Sequence, residues 1–122
     1  MALFDGCTVR DIQRITSVGT FLRLPADWSP IQELTGADKA YLLLSGAASV
    51  RRGGQEIATL GPGDIFGESA ILHHKLRNAS IVTTTPVEVL HFTSDAVRRL
   101  CREVPAFQDA LDREASARLG TP

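Results

Sequence analysis

Glu68 and Arg77 lie nine positions apart in a stretch that opens with a glycine-rich turn. A carboxylate accepts hydrogen bonds from hydroxyl groups, and an arginine guanidinium presents a planar fork of donors that suits a phosphate. Gly67 directly precedes Glu68, and the residues after it can form one short helical turn. Free backbone N–H groups at the start of such a turn attract negative charge. Together these groups predict a site for a sugar phosphate.

The segment just before this pair predicts how it is positioned. Residues 61–63 read Gly-Pro-Gly, a combination typical of a turn. Asp64 is expected to close that turn by accepting hydrogen bonds from nearby backbone N–H groups. Ile65 and Phe66 then form a short apolar strand that leads into Gly67.

The segment from Phe66 to Val82 resembles the phosphate-binding cassette of cyclic-nucleotide-binding domains, the family of the cAMP receptor protein and the protein kinase A regulatory subunits. It reads FGESAIL and then, after a short loop, RNASIV. The family pattern is F-G-E-x-A-L-L followed by R-x-A-x-V. The resemblance extends upstream to Asp38 and downstream to Leu90, so it covers most of the chain. We call residues 66–82 the cassette.

The resemblance implies a role for individual cassette residues. Glu68 would bind the ribose 2′-hydroxyl and Arg77 the cyclic phosphate. Backbone groups near four residues would complete the site: Gly67, Ser69, Ala70 and Ala79. The expected ligand-binding residues are Phe66, Gly67, Glu68, Ser69, Ala70, Arg77, Asn78, Ala79 and Ser80. The expected ligand is cAMP, and cGMP stays open because Asn78 can both donate and accept where family members place a guanine-contacting hydroxyl.

The strands and the first helix are predicted from residue spacing. Val9, Ile12 and Ile15 recur at helical spacing, which predicts an N-terminal helix over about residues 8–17. Several short β-rich runs follow over about residues 20–93, and Gly53-Gly54 predicts a hairpin between two of them. This pattern indicates a β-sandwich or barrel with flanking helices. The jelly-roll topology is what the resemblance implies.

Two C-terminal helices are predicted over about residues 94–119. Ser94 is the expected N-cap of the first, and Pro105 can begin the second. The polar face of the first helix is expected to be solvated and contains Arg98, Arg99 and Arg102. The apolar stripe of the second contains Phe107, Leu111 and Leu119, and it suits either a homodimer contact or packing onto the chain's own sandwich. In the family these helices cover the ligand or carry its signal.

The whole-chain properties indicate one cytoplasmic domain spanning residues 1–122. A formal charge of −1 gives no general attraction to nucleic acid or to an anionic membrane. No apolar run approaches the roughly 20 residues that span a bilayer, and the N-terminus lacks the features of a secretory signal. Cys7 and Cys101 are interpreted as two small buried residues in a reducing compartment rather than as a disulfide.

Neither catalysis nor a cofactor is expected. His73 and His74 are adjacent and His91 is distant, which does not suit a metal site, and no nucleophile-elbow motif is present. Because the sequence ends at Pro122, before a helix-turn-helix unit, direct DNA binding by this chain is not expected. The expected function is a regulatory domain that binds a cyclic nucleotide and signals to an effector protein or fused domain. The alternative is an interaction or scaffold domain with a degenerate pocket that binds no nucleotide.

Overall fold

Helices lie at the two ends of the chain and strands lie between them. The structure is a computed structural model that describes residues 4–31, 38–68, 71 and 79–117, with side chains as far as residue 113. The helices in these ranges are α1 (Val9–Val18), α2 (Ser94–Glu103) and α3 (Pro105–Ala117). The strands are β1 (Thr20–Leu24), β2 (Lys39–Ser45), β3 (Ala48–Arg52), β4 (Gln55–Leu60), β5 (Ile65–Phe66), β6 (Ser80–Thr83) and β7 (Val87–Thr93). The predicted fold class, mainly β with flanking helices, is confirmed.

The described strands form two antiparallel sheets. One has the strand order β1-β7-β2-β5 and the other has the order β4-β3-β6. Gly53 and Gly54 join β3 to β4, and their φ angles are +59° and +80°. A two-residue hairpin turn of this kind needs positive φ at both positions, which glycine adopts without a steric penalty. The double glycine therefore forms the hairpin that the sequence predicts.

The four-stranded sheet separates two hydrophobic cores. Alternate residues of β2 point to opposite sides, so Leu43 contributes to one core and Leu42 to the other. We call the first the inter-sheet core; its buried members are Ile31, Tyr41, Leu43, Ala48, Val50, Leu60, Phe66, Ala79, Ile81, Val87 and Val89. We call the second the helix-side core; its buried members are Ile15, Ala40, Leu42, Ile65, Ile71, Leu90, Phe92, Val97, Leu100, Val104, Phe107, Ala110 and Leu111.

Threonine hydroxyls cap the first two helices. Thr8 and Asp11 form a capping box at the start of α1, each side chain accepting the backbone N–H of the other at 3.1 Å. At α2 the N-cap is Thr93, whose Oγ1 accepts from the Ala96 N–H at 3.2 Å. The prediction of Ser94 as the cap is wrong by one residue. Thr93 keeps the extended backbone of β7 while Ser94 is already helical, and both carry a hydroxyl.

Helix α3 begins at Pro105 and packs its first two turns into the chain's own core. Phe107, Ala110 and Leu111 are buried in the helix-side core. This part of the predicted apolar stripe is therefore not exposed for a dimer contact, and Leu119 lies outside the described residues. Among the described helices, none is both long and apolar enough to cross a bilayer.

Glu103, the last residue of α2, binds two arginines from different helices. Arg14 Nη2 of α1 lies 2.7 Å from Glu103 Oε1, and Arg99 Nε lies 2.7 Å from Glu103 Oε2. The hydrogen bond from Arg99, helped by the charge of Arg14, holds the pKa of Glu103 below its ordinary value of 4.5. The Arg14–Glu103 pair ties α1 to the helix that follows the last strand.

Glu103→Gln is expected to reduce stability at neutral pH but not in acid. A carboxyl whose pKa is lowered by folding contributes stability above its ordinary pKa, and this contribution is lost as the pH falls through the lowered value. The difference in unfolding free energy between wild type and Glu103→Gln should therefore shrink as the pH drops below 4.5. Added salt should also reduce this difference in unfolding free energy, because the Glu103 carboxylate is solvent-exposed.

Urea unfolding at a series of pH values measures this difference. Glu56→Gln, at an exposed position of β4, is the matched control. A Glu103→Gln difference that is constant across the acid range would contradict the assigned ion pairs.

Candidate functional site

Asp64 holds the turn that precedes the cassette. Its Oδ2 accepts a hydrogen bond from the Gly61 N–H at 2.8 Å, and its own N–H donates to the Gly61 carbonyl at 3.1 Å. The Gly63 N–H and the Asp64 carbonyl then pair with the backbone of Leu43 in β2. These bonds determine where β5 starts, and the predicted turn-closing role of Asp64 is confirmed.

Gly67 turns the chain out of β5 and into the cassette. Its φ is +91°, in the left-handed region where a side chain would be strained. Glu68 and Ile71 then have helical backbone, as the predicted short helical turn requires. Four of the expected ligand-binding residues lie outside the described residues: Ser69, Ala70, Arg77 and Asn78.

Phe66 anchors the start of the cassette in the inter-sheet core. Its side chain is 2% exposed, and its ring stacks on that of Tyr41 with centroids 5.3 Å apart and planes inclined by 19°. Stacked aromatic pairs contribute about 0.5–1.5 kcal/mol beyond their buried area. The Phe66 ring therefore serves packing, and its backbone lies in β5 opposite Tyr41 of β2.

The far end of the cassette attaches to the other sheet. Ala79 is fully buried in the inter-sheet core, and Ser80 begins β6 opposite Arg51 of β3. Phe66 and Ala79 share that core although their neighbouring strands belong to different sheets. Phe66 and Ala79, on the two sides of the predicted binding loop, therefore both pack into the inter-sheet core.

Glu68 is a charged side chain inside the protein. It is 5% exposed, and the other buried polar side chains among the described residues, Ser49 and Thr83, are neutral. A carboxylate removed from water is costly unless hydrogen-bond donors or positive charge compensate it. Its position directly after Gly67 places two acceptor oxygens at the start of the cassette. Such a group is suited to hold hydroxyl donors of a ligand.

The electrostatic field of Glu68 reaches α2. Burial raises the pKa of the Cys101 thiol above its ordinary value, and the negative charges of Asp112 and Glu68 raise it further. Neither Cys7 nor Cys101 is in a disulfide, as predicted, although both are half-buried rather than buried. Cys101 is therefore a natural reporter of the charge at Glu68.

Glu68→Gln is expected to let the Cys101 thiol ionise at lower pH, because it removes one of the negative charges that oppose the thiolate. Alkylation by iodoacetamide follows the thiolate and can be measured against pH in a Cys7→Ser background. Asp112→Asn should shift the profile in the same direction and further, since Asp112 has the larger influence on this thiol.

Glu56→Gln serves as the control for this measurement and should leave the profile unchanged. The influence of the Glu68 charge on the Cys101 thiol would be refuted by a Glu68→Gln profile that coincides with the control.

Arg98 joins α2 to the cassette, which sequence reasoning did not predict. Its Nη2 donates to the Ile71 carbonyl at 3.4 Å, and the residue is half-buried. The prediction of a solvated arginine face holds for Arg99 and Arg102, which are exposed, and is wrong for Arg98. Nothing in the helical periodicity distinguishes these arginines, because the difference depends on a contact 27 residues away.

His91 is the histidine that the structure describes, and it lies on β7 rather than in the cassette. Its ring centroid is 6.0 Å from that of Tyr41. Burial lowers the pKa of His91, Lys39 lowers it further, and Asp38 opposes this. His91 is therefore a neutral imidazole at neutral pH. His73 and His74 lie outside the described residues.

Comparison with known proteins finds the same kind of domain. The family model described as "Cyclic nucleotide-binding domain" matches residues 22–104. A cAMP-dependent protein kinase regulatory subunit from Aspergillus niger is 40% identical over 97 residues, which cover 78% of this chain and 24% of that protein. A CRP-like cAMP-activated global transcriptional regulator from Mycobacterium tuberculosis is 27% identical over 122 residues, covering 96% of this chain and 54% of that protein.

A solved structure supports the same comparison. The Thermus thermophilus catabolite activator protein superposes with a TM-score of 0.86 at 27% identity, over 98% of this chain and 58% of that one. This chain therefore spans a little over half of that protein and of the mycobacterial regulator, and about a quarter of the fungal subunit.

Proposed function

The chain belongs to the cyclic nucleotide-binding domain family, and from this premise we propose that it is a non-catalytic sensor that binds a cyclic nucleotide at the cassette. The proposed ligand is cAMP before cGMP. The observation that carries the proposal is the buried carboxylate of Glu68, which directly follows the left-handed Gly67 at the start of a helical turn.

Glu68 is proposed to accept a hydrogen bond from the ribose 2′-hydroxyl. Because a buried carboxylate is shielded from water, a hydrogen bond from a ligand hydroxyl is stronger there than it would be in solvent. A hydrogen bond to a charged group contributes about 1.5–3 kcal/mol. The sugar is the part of the nucleotide that suits this acceptor, because an ionised carboxylate would repel the phosphate.

Arg77 is proposed to bind the cyclic phosphate, together with backbone N–H groups of the cassette. Its guanidinium provides charge and paired donors in one plane, a geometry that matches phosphate oxygens. Support for this role comes from the spacing to Glu68 and from the family pattern that both residues match. The proposed backbone donors lie near Gly67, Ser69, Ala70 and Ala79, with Asn78 and Ser80 beside them.

Binding is proposed to reach the C-terminal helices through the packing of the cassette. Ile65 and Ile71 are buried with Val97 and Leu100 of α2 in the helix-side core. A displacement of the cassette at Ile71 would therefore act on α2 through this core. For this to act as a switch, the nucleotide must bind one arrangement of cassette and helix more tightly than the other.

The proposed output partner is an effector protein, or a domain joined to this one, that contacts α2 or α3. Homodimerisation through the C-terminal helix would have to use residues beyond the buried Phe107 and Leu111. The proposed location is cytoplasmic, a reducing compartment that suits two cysteines not joined in a disulfide.

Titration calorimetry with cAMP, cGMP and 5′-AMP tests the proposal. We expect saturable heat and a raised unfolding temperature with cAMP, a weaker response with cGMP, and little response with the open-chain 5′-AMP. The absence of heat and of a thermal shift at millimolar cAMP and cGMP would instead support the scaffold domain with a degenerate pocket.

A further inference from the structure

Helix α2 meets the cassette at Ile71. Arg98 Nη2 donates to the Ile71 carbonyl, and the Ile71 side chain is buried in the same core as Val97 and Leu100 of α2.

The Arg98–Ile71 hydrogen bond is the directional part of this packing. Ile71 also packs with Val97 and Leu100, but apolar contacts have no preferred direction and tolerate small displacements. The distance from Arg98 Nη2 to the Ile71 oxygen is 3.4 Å, close to the outer limit of a hydrogen bond. A cassette shift of a few tenths of an ångström would therefore strengthen this bond or break it.

The other arginines of α2 are differently placed. Arg99 binds Glu103 within the helix, and Arg102 is exposed, whereas Arg98 is half-buried against the cassette. A guanidinium stays charged throughout the physiological pH range, so the Arg98 contact depends on position and not on protonation. Arg98 and Arg102 thus offer a matched pair that differs in this contact.

We propose that Arg98 is a positioning residue that makes α2 follow the cassette when a cyclic nucleotide binds. This role rests on the proposed function, since the nucleotide supplies the displacement. Glu68 and Arg77 would still bind the ligand without Arg98, but the helix would lose its directional link to them. The Arg98 variant would then bind the nucleotide without the response of the helix. Loss of an arginine that only stabilises the fold would not separate these two effects.

Backbone hydrogen exchange with and without saturating cAMP tests this role. In the wild-type chain, cAMP should change exchange both in peptides covering residues 60–83 and in peptides covering residues 94–117. In Arg98→Ala the cassette change should remain, and the helix change should fall to less than about half of the wild-type change. Arg98→Lys keeps the charge without the planar fork and should be intermediate. Arg102→Ala is the control and should match the wild type.

The possible outcomes separate this role from the proposed function. A helix response in Arg98→Ala as large as in Arg102→Ala would overturn the positioning role, and so would a wild-type response confined to the cassette. No response in either wild-type segment would remove the proposed function and this role with it. If thermal unfolding shows that Arg98→Ala does not fold, Arg98→Met replaces it, because methionine keeps the aliphatic stem of the arginine. The same loss of the helix response to cAMP is expected in Arg98→Met.

Discussion

Arg77→Ala is expected to weaken cAMP binding about tenfold to a hundredfold, because a charge-assisted hydrogen bond of about 1.5–3 kcal/mol would be lost. The cyclic phosphate carries the ligand's formal charge. Removing its bidentate partner should therefore lower the affinity for cAMP more than removing any single backbone donor would. Titration calorimetry on the variant and the wild type measures the ratio of dissociation constants.

Two further variants sharpen the Arg77 experiment. Arg77→Lys keeps a positive charge but not the planar pair of donors, and its affinity should lie between those of the wild type and the alanine variant. Arg10→Ala removes an exposed arginine of α1 and should bind cAMP as the wild type does. Equal affinity in Arg77→Ala and Arg10→Ala would remove Arg77 from the site.

Glu68→Gln is expected to weaken cAMP binding by a similar factor, about tenfold to a hundredfold. Glutamine has nearly the same volume but no charge, so the variant removes the charge-assisted bond without opening a cavity. Since the proposed partner of Glu68 is the ribose 2′-hydroxyl, the wild-type chain should bind 2′-deoxy-cAMP more weakly than cAMP by the same factor. Removing the 2′-hydroxyl should weaken binding to Glu68→Gln less than it weakens binding to the wild type, because the uncharged glutamine oxygen accepts only a weaker hydrogen bond from that hydroxyl.

Glu56→Gln again provides the control, as an exposed glutamate on β4. Its affinity for both nucleotides should equal that of the wild type. If removing the 2′-hydroxyl weakens binding to Glu68→Gln by the same factor as it weakens binding to the wild type, the two losses are additive. That result would show that Glu68 does not bind the 2′-hydroxyl.

Local features of the fold could be predicted because each is encoded within a few residues. The Gly53-Gly54 hairpin, the start of α3 at Pro105 and the turn closed by Asp64 depend on backbone preferences that a short window reveals. The N-cap of α2 was missed by one position because Thr93 and Ser94 are chemically alike. The choice between them depends on where β7 ends, which is set by its pairing with β1 and β2.

Contacts between distant segments could not be predicted in this way. Both faces of β2 are buried, so its apolar run does not reveal which core Tyr41 meets and which core Leu42 meets. The stacking of Tyr41 on Phe66 and the bond from Arg98 to Ile71 likewise join residues that no periodicity links. The candidate site is predicted from one short motif that Glu68 and Arg77 share, and of these two residues the structure describes Glu68.

A crystal structure of this chain with cAMP bound would test the proposed site most directly. We expect the cyclic phosphate within hydrogen-bond distance of the Arg77 guanidinium and of cassette backbone N–H groups, and the ribose 2′-hydroxyl on the Glu68 carboxylate. Electron density for the nucleotide elsewhere on the chain, or Arg77 pointing away from a phosphate held by other groups, would contradict the account.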